Sequence, residues 1–164
     1  MQSPLPQIMH SLKNLSHVLT KAEEHCEENK LDPAALLNAR LYPDMFTCIR
    51  NVLVSCDTAK GTAARLSGVD NPSFEDNETT FDELQARIAK TLDFMASVPE
   101  EAFEGAEDRK VVLQTGKGEF EFTGAGYLAT FAIPNFYFHV TTVYNILRHN
   151  GVPLSKVDYL RGKV

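Results

Sequence analysis

His139 is the residue whose type and position most favour chemistry in this chain of 164 residues. It stands in the run AIPNFYFHVTTVYNILRHNG, residues 132–151, whose apolar side chains form a narrow helical stripe. On a helical wheel, His139 lies on the flank of that stripe beside Ile146. An imidazole at this position faces or borders the core, where its chemistry would be that of a metal ligand or of a titrating group in a pocket.

A predicted second helix, residues 44–67, carries Asp57 and Lys60 beside its apolar stripe. A paired carboxylate and ammonium at the rim of the core is the simpler interpretation, and a role in a pocket is the alternative. Cys56 belongs to the stripe itself. With Cys26 and Cys48 it forms no CxxC pair, so we interpret all three cysteines as buried structural thiols.

Other candidate patterns lack part of the spacing that their chemistry requires. His10 and His17 lie two turns apart on the first predicted helix, which is too far for one metal ion without a third element. The segment TGKGE, residues 115–119, precedes a predicted strand instead of a helix and lacks the spacing of a phosphate-binding loop. No Ser-His-Asp order, carboxylate pair or cofactor fingerprint stands out.

Composition narrows the class of protein. The net charge of −6, the pI near 5.3 and the scattered basic residues argue against a nucleic-acid partner. No stretch approaches the roughly 18 apolar residues of a membrane span, and the N-terminus has no basic region followed by an apolar run. We therefore expect a cytoplasmic protein with one domain over residues 1–164.

The periodicity predicts four long helices and one hairpin. A short helix opens at Asp32-Pro33, and a capping box, Thr80 with Glu83, opens the third long helix. Pro134 either kinks the fourth long helix or starts it. The polar connection, residues 69–79, is long enough at about 33 Å for the second and third long helices to run parallel. The long helices are expected at about 3–28, 44–67, 80–98 and 132–151, and the hairpin at 110–123 around 116–118.

Four segments of the chain resemble a known family. They are NARLYPDMF, CDTAKGTAARLSGV, SFEDNETTFDELQARIAKTL and PNFYFHVTTVYNILRHNGV. Together they resemble a family of uncharacterised bacterial and fungal proteins in the DinB/YfiT-like superfamily of predicted metalloenzymes, from about residue 5 to residue 160. The resemblance implies an all-α, four-helix bundle with up-down-down-up order and a small β-hairpin inserted between the third and fourth helices. Homodimers are common in that superfamily.

The resemblance also implies a metal site, which this chain matches in part. Metal-binding members of the superfamily hold a divalent ion with one histidine of the second helix and an HxxxH pair of the fourth, and some transfer low-molecular-weight thiols. His139 matches the first histidine of the pair, but the residue four positions later is Val143. Residues 44–67 contain no histidine, and the nearest candidates are Cys56 and Asp57. One histidine and one carboxylate leave zinc or nickel short of three protein ligands.

Two hypotheses of function follow. The preferred one is a metal-free bundle that binds a small molecule or another protein chain. In that case His139 and Asp57 form a buried hydrogen-bonded pair between the second and fourth helices. Outward-facing Tyr137 and Phe138 would then provide a surface for a homodimer or a resting place for the hairpin.

The alternative is a divalent-metal-dependent enzyme, such as a thiol transferase, that uses His139 and Asp57. Cys56 or a water molecule would complete the ligand set, and Asn135 or Tyr144 would hold the other ring nitrogen of His139. The sequence leaves open whether the protein is an enzyme.

Overall fold

The structure, a computed structural model, describes residues 3–116 and 118–162. These residues form a bundle of four long helices with a β-hairpin between the third and fourth, as predicted. The helices are α1 (Leu5–Asn29), α2 (Pro33–Leu37), α3 (Cys48–Ser67), α4 (Phe81–Ser97), α5 (Gly124–Tyr127), α6 (Ile133–His149) and α7 (Lys156–Arg161). The strands are β1 (Lys110–Thr115) and β2 (Gly118–Thr123). A 3₁₀ turn, Glu100–Phe103, follows α4, and a π-helical turn, Leu128–Ala132, precedes α6.

The core lies between α1, α3, α4 and α6, each of which buries one apolar stripe. Removal of these side chains from water is the main source of stability, at roughly 25 cal/mol per Å². None of the helices in the described part of the chain is long and apolar enough to cross a membrane. Side chains at the centre of the core include Leu12, Leu19, Val52, Leu66, Leu84, Ile88, Phe136 and Val143.

Side-chain caps fix where the helices begin. The capping box of Thr80 and Glu83 opens α4 as predicted, and Asp32 accepts a hydrogen bond from the amide of Ala34 at the start of α2. The prediction of a helix from residue 44 was wrong by four residues. Thr47 is the residue that caps α3, because its hydroxyl accepts the amide of Arg50.

The segment that joins α3 to α4, residues 69–79, has no regular structure and is called the strap below. It runs back along α3 from its end towards its beginning. Near its start, the Lys60 ammonium donates to the carbonyl of Pro72. Further along, Asp76 pairs with Arg50 in the first turn of α3.

Arg109 connects the end of α3 to the segment that follows α4. Its guanidinium donates to the carbonyl of Leu66, in the last turn of α3, and to that of Ala102, just after α4. The ends of the two helices are therefore neighbours, as are their beginnings. The prediction that α3 and α4 run parallel is confirmed.

The hairpin lies against the bundle, as expected for a two-stranded sheet that is marginal alone. Its strands are antiparallel, with Val111 opposite Phe122. Val111 is buried, and the ring of Phe122 lies 6.0 Å from that of Tyr127. Lys117, part of the predicted turn, lies outside the described residues.

The helical segment that leads into α6 changes from α-helical to π-helical hydrogen bonding. The π-helical turn precedes Ile133, whose amide donates to the carbonyl of Leu128, and Pro134 is the second residue of α6. Ala132 and Ile133 both have right-handed helical backbone angles, so the helical path does not begin anew at Pro134; its irregular π-helical turn stands just before the proline. Gly124 lies so close to the carbonyl of Ala106 that a β-carbon would come within 1.8 Å of the oxygen, which excludes any side chain.

Candidate functional site

His139 is buried at the interface of α6 with α3, and 7% of its surface is exposed. Its Nδ1 lies 2.8 Å from Oδ1 of Asn51. The prediction that His139 borders the core is thus confirmed. Its hydrogen-bond partner is a neutral amide from the second long helix of the bundle.

The Asn51 amide determines which ring nitrogen of His139 carries the proton. Its Nδ2 donates to the carbonyls of Phe46, at 3.1 Å, and Thr47, at 2.8 Å. With both N–H groups used, Oδ1 faces the imidazole and accepts a hydrogen bond from Nδ1–H. Nε2 is then the unprotonated nitrogen of the neutral ring, and its lone pair is an acceptor.

Two aromatic rings flank the imidazole. Phe46 lies parallel to it at an interplanar angle of 18°, with ring centroids 6.1 Å apart, and Phe138 meets it edge-on at 5.1 Å. Phe46 and Phe138 are 50% and 58% exposed. Nε2 has no hydrogen-bond partner among the described residues and is not one of their fully buried unpaired atoms, so it keeps a small exposed surface.

Arg50 gives this region its charge. Its guanidinium carbon lies 5.8 Å from the ring centroid of Phe46. Burial lowers the pKa of His139, and the nearby positive charge of Arg50 lowers it further. The ring is therefore neutral near pH 7. We call His139, Asn51, Phe46, Phe138 and Arg50 the His139 site.

The side chains around His139 do not fit a three-ligand metal centre. Val143, one turn further along α6, is fully buried and has no donor atom. Asn51 already uses its oxygen and both N–H groups, and Arg50 adds a positive charge that opposes a cation. Within residues 3–116 and 118–162, no group of three or more metal-ligating side chains occurs.

Asp57 lies elsewhere, and its predicted pairing with His139 was wrong. Its carboxylate accepts from Nη2 of Arg87 at 3.0 Å and lies 3.4 Å from the ammonium of Lys60. The simpler interpretation, a pair of Asp57 with Lys60 at the rim of the core, is confirmed. Asp57 faces α4 and the strap, whereas Asn51 faces α6.

Arg87 fastens the strap to α4. Only 2% of its side chain is exposed, and it donates to Glu78 at 2.8 Å, to Asp76 at 3.1 Å and to the carbonyl of Glu75 at 2.8 Å. Its Nε and the second carboxylate oxygen of Glu78 are buried without a partner among the described residues. Three carboxylates, counting Asp57, thus converge on one buried guanidinium.

Phe74 provides a second fastening of the strap. Its ring lies 4.3 Å from the ammonium of Lys60 and 4.1 Å from that of Lys90, and the guanidinium of Arg87 is 5.1 Å away. A cleft of about 510 Å³ separates this part of the strap from α4. A second cleft, of about 390 Å³, includes Asp57 in its lining. The cations around the ring are held by the protein itself, so these contacts serve to attach the strap.

The remaining predicted site residues lie apart from His139. Cys56 is fully buried, and burial raises the pKa of its thiol to about 12. Asn135 donates to the hydroxyl of Thr58 at 2.8 Å. Tyr144 packs edge-on against Tyr159 and lines a cleft of about 170 Å³ between α6 and α7. Among the described residues, neither Asn135 nor Tyr144 forms a hydrogen bond with His139, whose partner is Asn51.

The prediction that Tyr137 faces outward was also wrong. Its hydroxyl forms a hydrogen bond of 3.2 Å with Ser11 of α1, and its ring packs against Phe136 at 5.2 Å. Phe138 is exposed, as predicted. Of the two aromatics proposed for a surface contact, Phe138 is the one available.

Asn51 and Thr58 are the partners that the sequence reasoning missed. They belong to a buried polar stripe on α3 that also contains Ser55 and Thr62, at spacings of four, three and four residues. The spacing of helical neighbours was the available signal. Asn51 bonds to His139, and Thr58, two turns later, bonds to Asn135, one turn earlier in α6. These two hydrogen bonds therefore connect α3 and α6, which are antiparallel.

The fold and this site define a DinB-like four-helix bundle. A crystal structure of a DinB family member from Shewanella denitrificans is 43% identical in sequence, with a TM-score of 0.89, and the match covers 95% of this chain and 88% of that one. The family described as "Domain of unknown function (DUF1993)" matches residues 2–160, and the chain belongs to that family. Among proteins with curated functions, none matches this chain.

Proposed function

We propose that this DinB-like protein binds a small organic molecule at the His139 site without a metal ion. One observation carries the proposal. The Asn51 amide fixes the proton on Nδ1 of His139 and leaves the Nε2 lone pair without a partner among the described residues. A buried acceptor with a fixed direction is suited to a ligand that donates a hydrogen bond.

The surroundings of Nε2 support a planar ligand. The half-exposed rings of Phe46 and Phe138 offer apolar surface on two sides of the imidazole. Aromatic rings gain about 0.5–1.5 kcal/mol from a well-placed aromatic partner beyond the area buried. Such a ligand would cover the two phenyl rings and hydrogen-bond with the nitrogen between them.

The test combines a metal analysis with a ligand screen on untagged protein. We expect less than about a tenth of an equivalent of zinc, nickel or iron per chain, even after incubation with those ions. A screen of small aromatic compounds, followed through the imidazole ¹⁵N and ¹H signals, should shift Nε2 of His139. His139→Phe, which keeps a ring but lacks the acceptor, should abolish binding, and His25→Phe serves as the control at a partly exposed position near the end of α1.

Two results would contradict the proposal. One equivalent of a divalent metal, lost in His139→Phe, would favour the thiol-transferase type of metalloenzyme instead. Compounds that bind equally well to His139→Phe would show that the imidazole nitrogen is not the recognition element.

A homodimer is a second proposal, supported by the exposure of aromatic side chains around His139. Tyr42, four residues before Phe46 in the chain, is 67% exposed as well. Aromatic residues are enriched in protein interfaces. Sedimentation velocity should show a dimer that dissociates in Phe138→Ser but persists in Phe120→Ser, the control on the hairpin. A monomer at all concentrations would contradict this proposal.

A further inference from the structure

Arg50 connects the His139 site to the strap. On one side its guanidinium lies over the ring of Phe46, which in turn stacks on His139. On the other side its Nη1 pairs with the carboxylate of Asp76 in the strap. The same side chain is therefore a neighbour of the ligand surface and an anchor of the strap.

The Arg50 guanidinium has donors to spare. Its side chain is 44% exposed, and within the described residues Asp76 is the acceptor that it contacts. A guanidinium presents five N–H groups and binds a carboxylate best through two of them in parallel. Asp76 contacts one nitrogen of the guanidinium, so a carboxylate that takes two N–H groups in parallel is the stronger partner and can replace Asp76.

Asp76 also has a second partner. It accepts a hydrogen bond from Arg87 at 3.1 Å, so it stays paired when Arg50 turns away. The exchange of Arg50 from Asp76 to another carboxylate therefore leaves no isolated charge behind. The same exchange removes one of the contacts that hold the strap to the beginning of α3.

We propose that the His139 site selects a planar organic anion whose carboxylate pairs with Arg50 in place of Asp76, so that ligand binding loosens the strap. This inference rests on the proposed function, because it names the ligand class and the regulation of the same site. Binding and strap opening are then linked, and each favours the other by the same factor. An exposed ion pair sets that factor at about two- to fivefold.

The probes are 4-hydroxybenzoate and 4-hydroxybenzamide, referred to below as benzoate and benzamide. They differ in charge, and each carries a ring hydroxyl that can donate a hydrogen bond to Nε2. Binding is followed through the His139 imidazole signals, and strap opening through chymotryptic cleavage after Phe74, measured by mass spectrometry. The variants are Asp76→Asn, which weakens the hold on Arg50, and Asp57→Asn. Asp57→Asn is the matched control because Asp57 pairs with Arg87 but makes no bond to Arg50.

We expect benzoate to bind at least about tenfold more tightly than benzamide, through the charge-assisted pair with Arg50. Asp76→Asn should tighten benzoate binding about two- to fivefold, and Asp57→Asn should leave it unchanged. Saturating benzoate should speed cleavage after Phe74 in the wild type by a similar factor.

The contrary outcomes separate this inference from the proposed function. If both probes shift His139 with equal affinity and Asp76→Asn has no effect, the site binds small molecules but neither selects an anion nor controls the strap. If benzoate binds preferentially while cleavage after Phe74 stays constant, the regulatory part is overturned. If neither probe shifts His139 in any variant, both this inference and the proposed function are overturned.

Discussion

Asn51 and His139 hold each other in one orientation across the α3–α6 interface. Oδ1 of Asn51 lies 2.8 Å from Nδ1 of His139, while its Nδ2 donates to the carbonyls of Phe46 and Thr47. One amide thereby joins two helices and closes the start of α3. Its loss affects more hydrogen bonds than a typical surface asparagine would.

Asn51→Ala should lower the free energy of unfolding by about 1–3 kcal/mol, because it leaves the buried Nδ1–H of His139 without an acceptor. Urea denaturation measures this change. Asn38→Ala is the matched control, since Asn38 also donates to a backbone carbonyl, that of Ala34, but is exposed. A loss for Asn51→Ala no larger than that of the control would show that the pair contributes little.

His139 should make stability depend on pH. Burial and then Arg50 lower the pKa of the folded ring, so below the unfolded pKa of about 6.5 the unfolded chain binds the proton more readily. Stability should therefore fall as the pH drops from about 6.5 to the folded pKa, by up to about 1.4 kcal/mol per pH unit.

Urea denaturation of the wild type and His139→Gln between about pH 7.5 and about pH 5 isolates this effect, because other titrating groups are common to both proteins. Arg50→Met should raise the pKa of His139 in an NMR titration, whereas Arg50→Lys keeps the charge. A pH dependence that is identical in the wild type and His139→Gln would contradict the prediction.

Arg87→Met should destabilise the protein by about 3 kcal/mol, because three carboxylates lose their shared cation. This loss of stability lies at the lower end of the range for removing one partner of a buried ion pair, because Asp57 and Asp76 are partly exposed. Thermal or urea unfolding measures it. Arg148→Ala, at an exposed position near the end of α6, should change stability by less than about 0.5 kcal/mol.

The thiols of Cys48 and Cys56 should resist alkylation in the native protein. Burial raises the pKa of each to about 12, so little thiolate is present near pH 8. In the native protein, we expect iodoacetamide to react with these two thiols at least about a thousandfold more slowly than with a free cysteine. In urea, both thiols should react at the rate of a free cysteine. Peptide mass spectrometry distinguishes the two sites. Rapid reaction of Cys56 but not Cys48 would mean that α3 separates from α4, since the thiol of Cys56 lies against Thr91.

Local signals account for the elements that the sequence predicts well. The apolar period defines α1, and the capping box places the start of α4 at Phe81. The start of α3 was predicted too early, because Pro43-Asp44 has the pattern of a helix start while Thr47 provides the cap. Pro43 and Asp44 instead form a turn, which the amide of Met45 closes by donating to the carbonyl of Tyr42 at 2.9 Å.

Only part of the candidate site could be predicted, because the hydrogen-bond partner of His139 is not close to it in the sequence. The burial of His139 follows from its helical stripe, but its partner depends on how α3 is rotated. Asn51 and Asp57 are about 120° apart around that helix, so only one can face α6. Arg87 was missed because it stands next to an apolar stripe, and its acid partners come from α3 and the strap. The homodimer and the cytoplasmic location stay predictions.

The strap is also the covalent connection between two pairs of bundle helices. α1 and α3 precede it, and α4 and α6 follow it, yet α3 packs on both α4 and α6, and α1 on α4. A chain cut within residues 69–79 would therefore consist of two pieces, each with half of the core. Their reassembly would be a bimolecular association that depends on protein concentration. The bundle is thus divisible at one place into complementary fragments.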